Sequence, residues 1–152
     1  TCALPISSGQ KYSHDAAMAG ALTSTGFAVA GWCRAQGPNA IAQACVQTFD
    51  EAGLFSQVYA EPSDTQATCL GVAHDRENRL VLGCYRTVPG ETDAWVFASR
   101  GAGFPLAWAQ TYDQGGWDFA AAVTCESWGR CTWVGMTMEN GAAVLVASQR
   151  YP

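Results

Sequence analysis

A three-fold recurrence constrains this chain most. The triplet Gln-x-Tyr occurs at Gln10-Lys11-Tyr12, Gln57-Val58-Tyr59 and Gln110-Thr111-Tyr112. After each tyrosine the same features follow in the same order. A polar stretch with an aspartate comes first: His14-Asp15, Ser63-Asp64 and Trp117-Asp118. An apolar run of small residues is next, at Ala16–Leu22, Gln66–Ala73 and Phe119–Cys125. A turn leads to a run with a Val-x-Gly or Val-Gly element, at Phe27–Cys33, Arg79–Tyr85 and Cys131–Thr137. A third run covers Ala40–Thr48, Asp93–Ser99 and Ala142–Ser148, and a fourth closes two of the units at Leu54–Tyr59 and Leu106–Tyr112. Self-similarity at a period of roughly 40–50 residues is the mark of a repeat architecture. Short runs rich in valine, aromatic and small residues, punctuated by glycine, predict strands. Ala16–Leu22 is alanine-rich like a helix, but it aligns with Phe119–Cys125 and is assigned to a strand. The expectation is an all-β single domain of three antiparallel repeats, 12–58, 59–111 and 112–152. The third repeat stops after its third strand, and Ala3–Gln10 sits where a fourth strand belongs. Residues 1–11 are therefore expected to supply that strand to a sheet elsewhere.

The seven cysteines are Cys2, Cys33, Cys45, Cys69, Cys84, Cys125 and Cys131, with no C-x-x-C pair to favour a zinc ribbon or a thioredoxin-type redox site. Residues opposed across an antiparallel hairpin have position numbers that sum to a constant. Cys33 and Cys45 centre on Asn39, Cys69 and Cys84 between Arg76 and Glu77, and Cys125 and Cys131 on Trp128. All three midpoints fall in turn-like segments. Opposed strand residues have Cα atoms about 4.5–5.5 Å apart, within disulfide reach. Three cross-strand disulfides are predicted, one per repeat, against buried free thiols as the other possibility. Disulfides belong to oxidising compartments, so the chain is expected to be extracellular or at a cell surface, in a mature form without signal peptide. Cys2 is left over, as a free thiol, a seventh partner in a different pairing, or an intermolecular bridge.

Charged residues make up 14% of the chain, below the 25% or so of an ordinary soluble domain, and the net charge is −5 with Lys11 the single lysine. No basic stripe exists to neutralise phosphates, so nucleic-acid binding is not expected. The longest apolar runs, such as Gly141–Ala147, are strand-sized, and no transmembrane segment is expected.

One stretch resembles a known family. Asp93-Ala94-Trp95-Val96-Phe97, then Gly103, Leu106, Trp108 and Thr111-Tyr112, then Gly115-Gly116-x-Asp118, Ala120 through Val123 and Val134-Gly135-x-Thr137 are similar to the bacterial β-propeller repeats called SBBP repeats. The similarity covers about residues 93–137 well and the other repeats loosely. The first and second repeats lack the Gly-Gly pair, and Glu61-Pro62-Ser63 stands there in the second. The resemblance implies three blade-like, four-stranded units of a propeller and no particular activity. A β-trefoil is the alternative: it too has three repeats of four strands, although the Gln-x-Trp core of lectin-type trefoils is absent.

Propellers have about four to eight blades, so three do not close a ring. Completion by strand exchange is expected, with Ala3, Leu4 and Ile6 of one copy beside Ala143, Val144, Leu145 and Val146 of another. Cys2 adjoins that pairing. The partners would be copies of the same chain, in a filament or a six-bladed dimer. The resulting expectation is a secreted, non-enzymatic structural protein that self-assembles head to tail. Its alternative is an extracellular carbohydrate-binding module, with Trp117 and Trp128 as the ligand-stacking aromatics. No catalytic, cofactor or metal site is assigned. His14-Asp15 and His74-Asp75 are neighbours whose side chains diverge on a strand, and they are expected in solvated loops or turns. Asp113 and Asp118 flank Gly115-Gly116 and could offer oxygens to calcium, but not at EF-hand spacing. Asp50-Glu51, Asp75 and Glu77 are expected to solvate turns and edges.

Overall fold

A computed structural model describes the backbone of residues 12–35, 40–60, 65–99, 106–139 and 142–150, and the side chains of 16–34, 40–54, 65–99, 106–138 and 144. Every described element is a strand: β1 (Tyr12–Thr23), β2 (Gly26–Ala35), β3 (Ala42–Asp50), β4 (Phe55–Ala60), β5 (Gln66–His74), β6 (Leu80–Val88), β7 (Glu91–Ser99), β8 (Leu106–Tyr112), β9 (Phe119–Cys125), β10 (Cys131–Glu139) and β11 (Ala142–Arg150). They form three antiparallel sheets of consecutive strands, β1-β2-β3-β4, β5-β6-β7-β8 and β9-β10-β11. All eleven runs read from the sequence are strands. The largest difference is at β1, which begins at Tyr12 and takes in His14 and Asp15, paired with Arg34 and Cys33. These two residues extend a strand instead of forming the expected loop, because β2 is long enough to pair with them.

The second sheet is the middle layer, and its β7 shows why. Asp93 to Ser99 are buried without a break. In a strand, alternate side chains leave opposite faces, so unbroken burial needs cover on both. Trp95 and Phe97, with Leu82 and Cys84, pack on Ala28, Ala30, Ala44 and Val46 of the first sheet. Ala94, Val96 and Ala98, with Val81, pack on Ala120, Cys131 and Trp133 of the third. The two rings of the first group lie 4.1 Å apart, and an edge contact of 5.8 Å joins Tyr112 to Trp133. Between the sheets, β2 and β3 pack on β5, β6 and β7 pack on β9, and β5 meets both β1 and β9. Small residues dominate there, and Gly71 of β5 touches the backbone of Ala122 and Val123.

The Val-x-Gly glycines have a structural cause. Gly31, Gly83 and Gly135 recur at an interval of 52 residues (31, 83, 135), and each pairs beside a bulge in the preceding strand. A Cβ on Gly31 would overlap the Ala16 carbonyl, and one on Gly135 the Phe119 carbonyl. A bulge adds one residue and sharpens the local twist, and only glycine leaves room for it at these two positions.

Three disulfides join Cys33 to Cys45, Cys69 to Cys84 and Cys125 to Cys131. The second and third connect directly opposed residues, with Cα separations of 3.9 and 4.0 Å. The first does not. It spans β2 and β3 instead of the first two strands of its sheet, Cys33 faces Gln43, Cys45 faces Gly31, and the Cα separation is 5.5 Å. The bridge is diagonal because the register of this hairpin is centred one residue before Asn39. Residues two apart on neighbouring strands still share a face.

Candidate functional surfaces

Three parts of the surface bear on function. The first is the end where the β1–β2, β5–β6 and β9–β10 turns meet. A cleft of about 490 Å³ opens there, with Ser24, His74, Arg76, Asn78, Glu126 and Ser127 in its lining. Asp75 organises the β5–β6 turn. Its carboxylate accepts the backbone N–H groups of Glu77 and Arg79 at 2.9 and 3.0 Å and the Arg79 Nε–H at 2.6 Å. Its side chain is 1% exposed. Asp75 is thus a buried turn anchor, not the solvated acid expected, because it caps the backbone groups that the turn leaves unpaired. The β9–β10 turn has the same i, i+4 acid–arginine pairing, between Glu126 and Arg130. His74 Nδ1 lies 3.3 Å from the backbone carbonyl of Asp75, whose carboxylate is engaged by Arg79, so the two side chains do not form a dyad. Arg76 reaches the Trp128 carbonyl at 3.5 Å and ties two turns together. Trp128 is 53% exposed, with the Arg130 guanidinium 4.6 Å from its ring centroid.

The second surface is at the other end of β9, in loop 113–118. Gly115 and Gly116 take φ of 78° and 93°, a left-handed conformation that glycine adopts without steric cost. Gly115 N–H donates to Asp113, and Gln114 N–H donates to Asp118 Oδ2, both at 2.8 Å. Asp118 is buried and faces its own loop. The loop is fastened to β7: Thr92 N–H donates to the Gly116 carbonyl at 2.8 Å, and Asp118 N–H to the Thr92 carbonyl at 2.6 Å. This brings Glu91, Asp93 and Asp113 together, with one carboxylate oxygen from each within 4.8 Å of the others. Asp113 therefore groups with Glu91 and Asp93, and not with Asp118 as loop spacing implied. The first two were missed in the sequence. Their i, i+2 spacing, which puts both on one face of a strand, was the available signal. Trp117 in this loop is 69% exposed. Trp117 and Trp128 precede and follow β9, so the two expected ligand aromatics lie at opposite ends of one strand.

The third surface is the edge of the third sheet. β11 pairs with β10 from Cys131↔Arg150 to Glu139↔Ala142, and no strand lies on its other side among the described residues. At the same place in the other sheets, β3 and β7 are covered by β4 and β8. Val144 on β11 is exposed. Ala143, Leu145 and Val146 are in the same strand, but their side chains, like all of Cys2, Ala3, Leu4 and Ile6, lie outside the described residues. A further cleft of about 520 Å³ lies between the first and second sheets and is lined in part by Trp32, Arg34, Gln66 and Tyr85.

The three disulfides fit an oxidising, extracellular-like environment. Among the described residues no helix is long and apolar enough to cross a membrane. No protein-family model matches the chain, and no curated protein is detectably similar to it.

Proposed function

We propose that this is a secreted, non-enzymatic structural protein whose copies assemble head to tail by β-strand exchange into an extracellular filament. The open edge of β11 carries the proposal. An uncovered strand presents a row of unpaired N–H and C=O groups, a template for another strand. The occupant is the segment Ala3–Gln10 of a neighbouring copy, apolar over Ala3–Ile6, which restores the four-strand count of the other two sheets. The layered order of the sheets, with β1, β5 and β9 adjacent, suits blades of the SBBP propeller type. The low charge of 14% suits a surface covered by neighbours. A six-bladed dimer satisfies the same edge and is the alternative assembly. Electron microscopy and size measurement of the native protein test the proposal. Filaments or large oligomers that vanish when residues 1–10 are deleted are the expected result. A well-behaved 16.1 kDa monomer would overturn it.

Carbohydrate binding is the second function with specific support, from Trp128 beside the turn cleft and from Trp32 and Tyr85 in the cleft between sheets. Glycan-array binding lost in Trp128→Ala or Trp32→Ala would favour it. An array without signal would remove it.

A further inference from the structure

The carboxylate cluster between β7 and loop 113–118 has no part in strand exchange or sugar stacking. Glu91, Asp93 and Asp113 each place a carboxylate oxygen within 4.8 Å of the others. Like charges at such distances oppose one another. Arg86 answers one of them, with Nη2 3.2 Å from Asp93 Oδ2. Three carboxylates facing one guanidinium leave two negative charges over.

Acidic residues often gather on surfaces without purpose, but Asp93 is not on the surface. Its side chain is 8% exposed, and its other oxygen, Oδ1, is buried with no hydrogen-bond partner. A buried carboxylate oxygen without a donor is costly. Asp118, whose N–H is held by Thr92 between Glu91 and Asp93, also has a buried and unpartnered Oδ1. The orphaned Asp93 oxygen thus belongs to a carboxylate already grouped with two others. A cation supplies what no nearby donor does.

We propose that Glu91, Asp93 and Asp113 form a divalent-cation site selective for Ca²⁺. Carboxylates are hard ligands, and no histidine or cysteine belongs to the cluster, which disfavours zinc and copper. Calcium–oxygen distances are about 2.3–2.6 Å, so oxygens of one shell lie up to about 5 Å apart, as these do. Mg²⁺ demands a smaller, near-ideal octahedron, whereas these ligands come from a strand and a loop of separate sheet connections. The bound ion would fasten loop 113–118, which leads from the second sheet to the third, to the start of β7.

The full-length protein, stripped with a chelator, is titrated with CaCl₂ by calorimetry and with Tb³⁺ by luminescence sensitised through tryptophan. Saturable Ca²⁺ binding is expected with a dissociation constant of about 0.1–1 mM, the range of extracellular calcium modules. Asp113→Asn and Glu91→Gln should each weaken it about ten-fold or more. Asp113 is exposed, so its variant should fold as the wild type does, which circular dichroism checks. Glu51→Gln, at an exposed acid in another turn, should bind unchanged. Absence of saturable binding, unaltered affinity in both site variants, or equal affinity for Mg²⁺ would overturn the assignment.

Discussion

Gly71 on β5 lies directly against Ala122 on β9: a Cβ built on Gly71 would stand 2.9 Å from the Ala122 Cα and 2.9 Å from the Val123 nitrogen. The first strands of the second and third sheets therefore approach at backbone distance. Gly83, one strand away, is different, since a Cβ there would meet the Ala120 Cβ at 3.4 Å.

This contrast predicts two different outcomes for the same substitution. Gly71→Ala forces backbone to move and should cost about 1–3 kcal/mol of stability, the usual range for overpacking. Gly83→Ala should lie within about 1 kcal/mol of the wild type, because a small adjustment suffices and alanine suits a strand better than glycine. Chemical denaturation of both variants checks the pair. Equal losses would mean that the close approach of β5 and β9 is not what Gly71 serves.

Asp75 and Glu77 both pair with Arg79, yet their removal should differ. Asp75→Ala withdraws three hydrogen-bond acceptances from a site that is 1% exposed, and should cost about 3 kcal/mol. Glu77 is 54% exposed, and Glu77→Ala should cost less than about 1 kcal/mol. Shifts in urea midpoint at constant slope measure both.

The disulfides close loops of different length, with sequence separations of 12, 15 and 6. Loop-closure entropy then ranks them. Replacing Cys69 and Cys84 together by alanine should cost about 3 kcal/mol, and replacing Cys125 and Cys131 about 2 kcal/mol. Non-reducing peptide mapping checks the three pairings, and denaturation checks the order of loss.

The open edge predicts a variant that separates folding from assembly. Val144 is 38% exposed on β11, so Val144→Lys should leave stability within about 0.5 kcal/mol of the wild type. A lysine on an edge strand opposes pairing with another chain. Oligomer size by light scattering should fall. Assemblies of unchanged size would exclude this edge as the joint.

The strands were legible because their signals are local. Val29, Val81 and Val134, each close to a glycine, announced the second strand of each sheet, and Phe119–Cys125 identified Ala16–Leu22 as strand despite its alanines. Where a site depended on distant segments, the same local signals were silent. Glu91 and Asp93 were ordinary residues at a strand start until Thr92 bonded to the loop that carries Asp113. Asp75 is a different case: its three donors belong to Glu77 and Arg79, two and four residues on, so the capping signal was local and was passed over.

The sequence by itself determined the all-β class, the order of eleven strands and the grouping of six cysteines into three pairs. Each of these follows from the period of small and apolar residues and from turn residues a few positions away. Tertiary structure alone decided that the Cys33–Cys45 bridge runs diagonally and that β7 is buried on both faces. These depend on hairpin register and on which sheet covers which. The register is set by the turn of one hairpin, whose conformation no residue pattern specified, and the cover by packing between segments far apart in the chain, where no local pattern reaches.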